Sequence, residues 1–216
     1  MKKIIFNDKY CLTKAVLEGR KTQTRRVLNP TMFFKRLETY EGWSNEDISA
    51  WEKSCIRRFY EAQGEILQQM LDYALSSSRY KIGEEVAVAQ AYRRLKVDRD
   101  RVYSDMEILE ITYSKGWRNK MFVKSDLMPH RIRITNLRVE RLQEISDEDC
   151  IAEGIQKNPE VLRGMWGFSY IKGVTLKFEM STTPRGAYAK LIDHISGKGT
   201  WESNPYVFVY EFELIK

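Results

Sequence analysis

A short basic segment near the N-terminus carries side chains suited to hold a polar or anionic ligand. Residues 19–27 read GRKTQTRRV, with four cations, two threonines and no acidic residue. The guanidinium of Arg26 has a planar fork that can bind two oxygens of a phosphate or carboxylate at once. The same fork can instead pair with an acidic neighbour in the fold, and the whole segment can be a solvated turn. The residue types alone leave these interpretations open.

The segment directly follows a predicted short helix. Thr13 is a typical helix-capping residue, the helical pattern extends through Leu17 and Glu18, and Gly19 is a typical left-handed stop. Cations that follow a helix C-terminus are stabilised by the negative end of the helix dipole. This position explains part of the basic run without any ligand. Before the helix, residues 4–6 are predicted to form a strand.

The composition limits the classes to which the protein can belong. Its 216 residues carry a formal net charge of +6, which is compatible with nucleic-acid or nucleotide binding but does not prove it. Three scattered cysteines and two histidines, without CxxC spacing, argue against a zinc site or a disulfide framework, so we expect no metal and no cofactor. The sequence has no apolar run of membrane-spanning length and no signal-peptide core. A cytoplasmic protein without membrane contact is therefore expected.

Hydropathy and capping patterns predict the other elements. A capping box at residues 44–47 begins the first of two helices, and residues 31–79 are interpreted as a mostly helical insertion. Ser146 is predicted to cap a short helix, and Thr183 before Pro184 a longer one. The remaining predictions are strands at 86–89, 102–113, 131–142 (with a bulge near Asn136) and 206–214, and an irregular stretch or hairpin at 155–182.

The order of these elements predicts an α+β fold. Strands outnumber the core helices and mostly follow one another along the chain, which favours a small, strongly curved sheet or barrel. We expect residues 1–216 to form a single domain, with the helical insertion at about 31–79.

Four motifs resemble those of the ASCH domain family, a branch of the PUA-like superfamily, in its phage-associated form. The first is Gly-x-Lys-x-x-Thr-x-Arg at residues 19–26. The others are KIGEEV at 81–86, the strands and short helix of residues 128–154 that include RIRIT, VERL and ISDED, and WESNPYVFV at 201–209. The resemblance covers residues 1–30, 80–155 and the last strand, and it leaves out the insertion.

The resemblance implies a small PUA-like mixed β-barrel with flanking helices, and a cleft in which Lys21, Thr24 and Arg26 face Glu153. It implies binding of RNA or of a modified nucleotide or nucleoside, which is the function that we expect. One branch of the family removes the acetyl group of N(4)-acetylcytidine, with a lysine, a threonine and a glutamate placed like those here. In that alternative Lys21 takes the proton of Thr24, which attacks the amide carbonyl, and Glu153 protonates the leaving amine.

Two other interpretations stay open. Lys21 and Glu153 can form an ion pair that only ties the helix turn to the barrel, with Thr24 bonded to backbone. The protein can also be an interaction adaptor of a phage or mobile element, with the insertion at 31–79 as its contact surface. Phage origin is implied only by the resemblance.

Further ligand-binding candidates lie in the basic segment and on two predicted strands. Arginines that alternate along residues 131–142 form either a basic RNA-binding surface, with Tyr92 as a stacking platform, or a solvated face. Many phage-type members carry an Arg-Glu pair and an aromatic residue where this sequence has Ala-Gln-Ala-Tyr at 89–92, so the charges are missing and the aromatic residue is kept. The candidates are Gly19, Arg25, Arg26, Gln90, Tyr92 and Arg131.

Overall fold

Two β-sheets organise the computed structural model, which describes residues 1–33, 44–95, 111–157, 165–172 and 175–215. The larger sheet has the order β1 (Lys3–Ile4), β3 (Glu85–Val88), β4 (Arg131–Arg141), β8 (Tyr206–Ile215), β2 (Gln23–Val27). Its β1–β3 pair is parallel and its other pairs are antiparallel. The smaller sheet is antiparallel, in the order β5 (Gln156–Lys157), β6 (Trp166–Lys172), β7 (Thr175–Ser181).

The prediction of an α+β fold is confirmed, but the strands of the described residues do not close into the expected barrel. β1 and β2 form the two edges of the larger sheet and are not paired with each other. β1 is only two residues long, so it offers little backbone to a partner strand. In place of a ladder, the Arg26 guanidinium on β2 donates to the carbonyl oxygen of Ile5, 2.6 Å away, just after β1. The gap between the two edges is where the candidate site lies.

The helices begin largely where capping residues predict them. The elements are α1 (Leu12–Leu17), α2 (Asn45–Glu61), α3 (Gly64–Ser77), α4 (Asp147–Ala152), α5 (Pro184–Ser196) and α6 (Thr200–Ser203). The side chains of Ser44, Ser146 and Thr183 each accept a hydrogen bond from a backbone N–H of the first turn that follows. The predicted cap at Thr13 is wrong, because α1 already begins at Leu12 and the Thr13 hydroxyl bonds to the Phe6 carbonyl instead.

The two helices of the predicted insertion pack on the sheet. Phe59 of α2 and Ala74 of α3 are fully buried in the same apolar cluster as the strand residues Val207 and Val209. The ring of Phe59 meets that of Tyr206 edge-on, with centroids 5.3 Å apart. Residues 34–43 of the predicted insertion lie outside the described part of the chain. The described helices therefore extend the main core.

The strand predictions have mixed outcomes. β3, β8 and the hairpin β6–β7 match the sequence patterns, and β4 has the expected bulge, as its register with β8 shifts between Ile134 and Asn136. The predicted strand at 102–113 is wrong at its described end, because residues 111–113 are helical, and 102–110 lie outside the described residues. Strand β2 was not predicted from its own sequence. None of the described helices has the length and apolar content needed to cross a bilayer.

Candidate ligand-binding cleft

Backbone hydrogen bonds bring the basic segment against α4. Gly19 has a φ of 72°, the left-handed conformation expected of a helix stop, and the backbone N–H of Lys21 donates to the Ala15 carbonyl of α1, 3.0 Å away. The next residue, Thr22, donates its N–H to the Ala152 carbonyl at the end of α4, 2.9 Å away. Lys21 is therefore held beside Glu153, although 132 residues separate them in the sequence.

Lys21 and Glu153 form a buried ion pair. The Lys21 Nζ lies 2.5 Å from the Glu153 Oε2, and it also donates to the Glu153 backbone carbonyl, 2.8 Å away. Only 1% and 5% of the two side chains are exposed, so water does not screen this pair. Burial lowers the pKa of Lys21, although the attraction of the Glu153 carboxylate acts in the opposite direction. An amine in this environment loses its proton more easily than one in water.

Arg25 is buried at the centre of a network of carboxylates. Its side chain is completely inaccessible and contacts Glu140 at 2.6 Å, Asp149 at 2.7 Å and Glu153 at 3.3 Å. Together with its bonds to Gln23 and, through Nε, to Glu140, these contacts use all five N–H donors of the guanidinium. Arg25 therefore orients the carboxylates and has no donor left for a ligand.

The bulge in β4 turns two members of this network toward Arg25. Before the bulge the even-numbered Ile132 and Ile134 pack into the core, whereas after it the odd-numbered Leu137 and Val139 do so. Arg138 and Glu140 consequently lie on the opposite face, where Arg138 contacts both Glu140 and Asp149 at 2.8 Å. A bulge that redirects side chains in this way is a common feature beside functional sites.

A cavity of about 330 Å³ opens beside the Lys21–Glu153 pair. Its wall includes Thr24 of β2 and Tyr188 of α5, of which 5% and 1% are exposed. Neither hydroxyl makes a hydrogen bond to another residue in the described ranges. Apolar side chains complete this wall: Phe6, Leu12, Leu191, Ile192 and Ile195. A mostly apolar hollow with a few buried polar groups without partners is typical of a small-molecule site.

The mouth of the cavity contains three charged residues. Arg26 is exposed, and the Lys120 ammonium donates to Asp8 at 2.7 Å and to Thr13 at 3.0 Å. Sequence reasoning did not identify Asp8, Lys120 or Tyr188 as site residues. Lys120 lies in a stretch without a motif, and Tyr188 belongs to the apolar pattern of its helix, which indicates burial and not a cavity wall.

The structure brings Lys21, Thr24, Arg25, Arg26 and Glu153 to one cavity, and it places the other candidates, Gly19, Gln90, Tyr92 and Arg131, outside the wall of that cavity. Tyr92 is buried with Ala87 and Met128, and its hydroxyl accepts from the Lys124 N–H, 2.8 Å away. Gln90 is also buried, and its Nε2 has no partner among the described residues. Arg131 is half-exposed on β4, 3.8 Å from Glu85. In this arrangement the Tyr92 ring is not open to a stacking base.

The chemistry available in the cleft is acid-base and nucleophilic. A lysine with a lowered pKa, a carboxylate that touches it and a hydroxyl without a partner line one cavity. Cys150 of α4 is no competing nucleophile, because burial raises the pKa of its thiol to about 12. No group of three or more His, Cys, Asp or Glu in the described ranges is arranged to hold a metal ion.

Comparisons with protein-family models, with curated proteins and with solved structures found no match to this chain. The resemblance to ASCH domains therefore depends on the four sequence motifs alone.

Proposed function

We propose that the protein binds a modified nucleoside or nucleotide, with the base in the cleft between Lys21 and Glu153, as the ASCH-like motifs suggest. The observation that carries this proposal is the convergence of Lys21, Glu153, Thr24 and Tyr188 on one cavity of about 330 Å³. This volume is at the lower end of the range for small-ligand sites and suits a single nucleoside. The proposal remains compatible with a nucleoside that is free or part of an RNA.

The free hydrogen-bond donors and acceptors of the cleft match those at the edge of a nucleobase. Two of the three N–H donors of Lys21 go to Glu153, which leaves one for a ligand carbonyl or ring nitrogen. Each carboxylate oxygen of Glu153 accepts one hydrogen bond, from Lys21 or from Arg25, and retains lone pairs for an exocyclic amine. Phe6 and Leu191 supply the apolar contact area for the ring.

The Tyr188 hydroxyl provides a direct test of nucleoside binding. We expect the wild-type protein to bind cytidine or N(4)-acetylcytidine in isothermal titration calorimetry, and Tyr188→Phe to bind about tenfold more weakly because one hydrogen bond is lost. Tyr170→Phe is the matched control, since this half-buried tyrosine lies on β6 and does not line the cavity. Absence of binding to both nucleosides, or equal weakening by both variants, would contradict the proposal.

A second candidate function is hydrolysis of an acylated cytosine amine, and the partnerless hydroxyl of Thr24 favours it. Lys21 takes the Thr24 proton as the oxygen attacks the acetyl carbon. The proton then passes through Glu153 to the nitrogen of the leaving amine as the C–N bond breaks. Water hydrolyses the threonine ester and releases acetate, which restores the hydroxyl. The 2.5 Å contact between Lys21 and Glu153 supports this proton transfer.

Hydrolysis predicts a characteristic response to substitution and to pH. Thr24→Val should abolish acetate release from N(4)-acetylcytidine, whereas Thr24→Ser should keep most of it because the hydroxyl remains. The rate should rise with pH as Lys21 loses its proton, and level off below the ordinary lysine pKa of 10.5, because the pKa of Lys21 is lowered. A coupled acetate assay measures both effects. Release that survives in Thr24→Val excludes this mechanism and leaves the binding function in place.

A further inference from the structure

A second cavity, of about 380 Å³, lies next to the cleft. The two cavities share Ile5 and Arg26 as wall residues, so they are neighbours across the gap between β1 and β2. Ser77 and Arg79, at the end of the predicted insertion, form another part of the wall. The insertion thus contributes to a site that adjoins the nucleoside cleft.

The second cavity is lined by cations and aromatic rings. None of the described residues in its wall is acidic. Arg26 donates only to the Ile5 carbonyl, and Arg79 lies over the ring of Tyr80, 5.5 Å from its centroid. In the described part of the chain neither guanidinium has a carboxylate partner. Both therefore keep N–H donors for an anion, and a planar guanidinium suits the oxygens of a phosphate.

Two lysines beside this cavity already have backbone carbonyl partners. The carbonyl groups at the C-terminal end of α3 would repel an anion, but Lys81 covers them by donating to the Ser76 carbonyl and, at 3.5 Å, to that of Leu75. Lys3 also lines the cavity, although its ammonium is directed to the carbonyls of Met121 and Val123, each 2.7 Å away. Arg26 and Arg79 remain as the donors available to a ligand.

The deep end of the first cleft is unsuited to a phosphate. In the wall there, Lys21 and Arg25 are both paired with the Glu153 carboxylate, and Arg25 is also held by Glu140 and Asp149 from outside the cavity, so neither cation is without a carboxylate partner. A base with amine and carbonyl groups fits such a surface, whereas a phosphate is repelled by it. A ligand that carries both groups would place its base at Glu153 and its phosphate toward Arg26.

We infer that the second cavity binds the phosphate of the nucleotide whose base occupies the cleft, with Arg26 and Arg79 as its ligands and Tyr80, Phe208 and Tyr210 as an apolar wall. This inference rests on the proposed function and narrows the ligand from a nucleoside to a phosphorylated nucleotide. The phosphate comes either from a mononucleotide or from an RNA strand, and both present the same chemistry to the two arginines. Arg79 makes the helical insertion part of the ligand-binding surface.

Calorimetric titrations with cytidine, cytidine 5′-monophosphate and cytidine 3′-monophosphate test the inference. We expect the wild-type protein to bind one monophosphate about tenfold more tightly than cytidine, because a phosphate adds charge-assisted hydrogen bonds. Arg79→Gln should remove this gain and leave the affinity for cytidine unchanged. Arg57→Gln is the matched control: it is an exposed arginine of the same insertion that pairs, among the described residues, only with Glu61 and does not line either cavity.

The outcomes separate this inference from the proposed function. Monophosphates that bind no better than cytidine, or a gain that persists in Arg79→Gln, overturn the inference while the nucleoside cleft stands. If cytidine does not bind but inorganic phosphate binds in an Arg79-dependent way, the phosphate site stands and the base site fails. If no probe binds, both proposals fail.

A six-nucleotide RNA distinguishes the two sources of the phosphate. If it binds more tightly than the monophosphate and with strong salt dependence, the phosphate belongs to an RNA strand, whereas equal affinity identifies a mononucleotide.

Discussion

Arg25→Met will lower the free energy of unfolding at pH 7 by about 3–5 kcal/mol, the usual consequence of removing one partner from a buried ionic network. The side chain of Arg25 is fully buried, and its loss leaves Glu140, Asp149 and Glu153 close together with one cation fewer. Methionine fills a similar volume, so the loss comes from charge and hydrogen bonding. Urea denaturation monitored by tryptophan fluorescence measures the change.

The same variant reverses the dependence of stability on pH. In the wild-type protein burial alone would raise the pKa of Asp149, but the hydrogen bond from Arg25 holds it below its ordinary value. The stabilisation from this carboxylate is therefore present above its unfolded pKa of about 3.9 and is lost as the pH falls through the lower folded value. Without Arg25 that hydrogen bond is lost while burial still raises the pKa of Asp149, so in the variant protonation of this carboxyl adds stability as the pH falls.

Arg133→Met is the control for this prediction. Arg133 lies on β4 of the same sheet and contacts two carboxylates, Glu85 at 3.1 Å and Glu213 at 3.3 Å, but almost half of its side chain is exposed. Solvent screens such pairs, so we expect a change of less than about 1 kcal/mol and little pH dependence. If Arg25→Met lowered the free energy of unfolding as little as Arg133→Met, the carboxylate network around Arg25 would not be what stabilises the cleft.

Removal of either partner of the Lys21–Glu153 pair will lower the free energy of unfolding more than removal of both partners. Lys21→Met leaves the Glu153 carboxylate buried with only the longer contact to Arg25, and we expect a loss of about 3 kcal/mol in the free energy of unfolding. Glu153→Leu leaves the Lys21 ammonium buried without its carboxylate partner, and we expect a similar loss in the free energy of unfolding. The double variant Lys21→Met with Glu153→Leu should recover most of this loss, because no unpaired charge remains.

A double-mutant cycle measures this coupling, which we expect to be about 2–3 kcal/mol. Nucleoside binding gives an independent measurement: the double variant should stay folded and yet lose affinity for cytidine at least tenfold, because the polar edge of the cleft is gone. If the two single substitutions destabilised the protein additively, the pair would not be coupled. If the double variant bound cytidine as the wild type does, the pair would not be part of the binding site. The cycle therefore also tests the interpretation of the pair as purely structural, which predicts coupling without loss of binding.

Three of the four predicted helix caps and the bulge in β4 were predicted correctly because their causes are local. Ser44, Ser146 and Thr183 each accept a bond from a residue three positions later, a geometry that depends only on neighbouring backbone. The alternation of apolar and polar residues shifts by one position near Asn136. This shift indicates the bulge, because successive side chains of a strand lie on opposite faces of the sheet. Strand β2 was missed since its polar sequence lacks such a pattern, and its pairing with β8 determines its conformation.

The sequence by itself determined an α+β fold, the short helix before Glu153 and a basic segment at residues 19–27. Lys21 and Glu153 were paired through the motif resemblance, and their contact is present in the structure. The adaptor role, the ASCH relationship and the ligand stay predictions.

Only the tertiary structure decided which residues of the basic segment are exposed and which are enclosed. Arg25 and Arg26 are adjacent in the sequence and identical in chemistry, yet one is fully buried among carboxylates and the other is exposed beside two cavities. Successive strand residues point to opposite faces, so the partners of each depend on what the fold packs against that face. Tyr188 and Lys120 reach the same cleft from distant parts of the chain, and no local pattern encodes such long-range contacts.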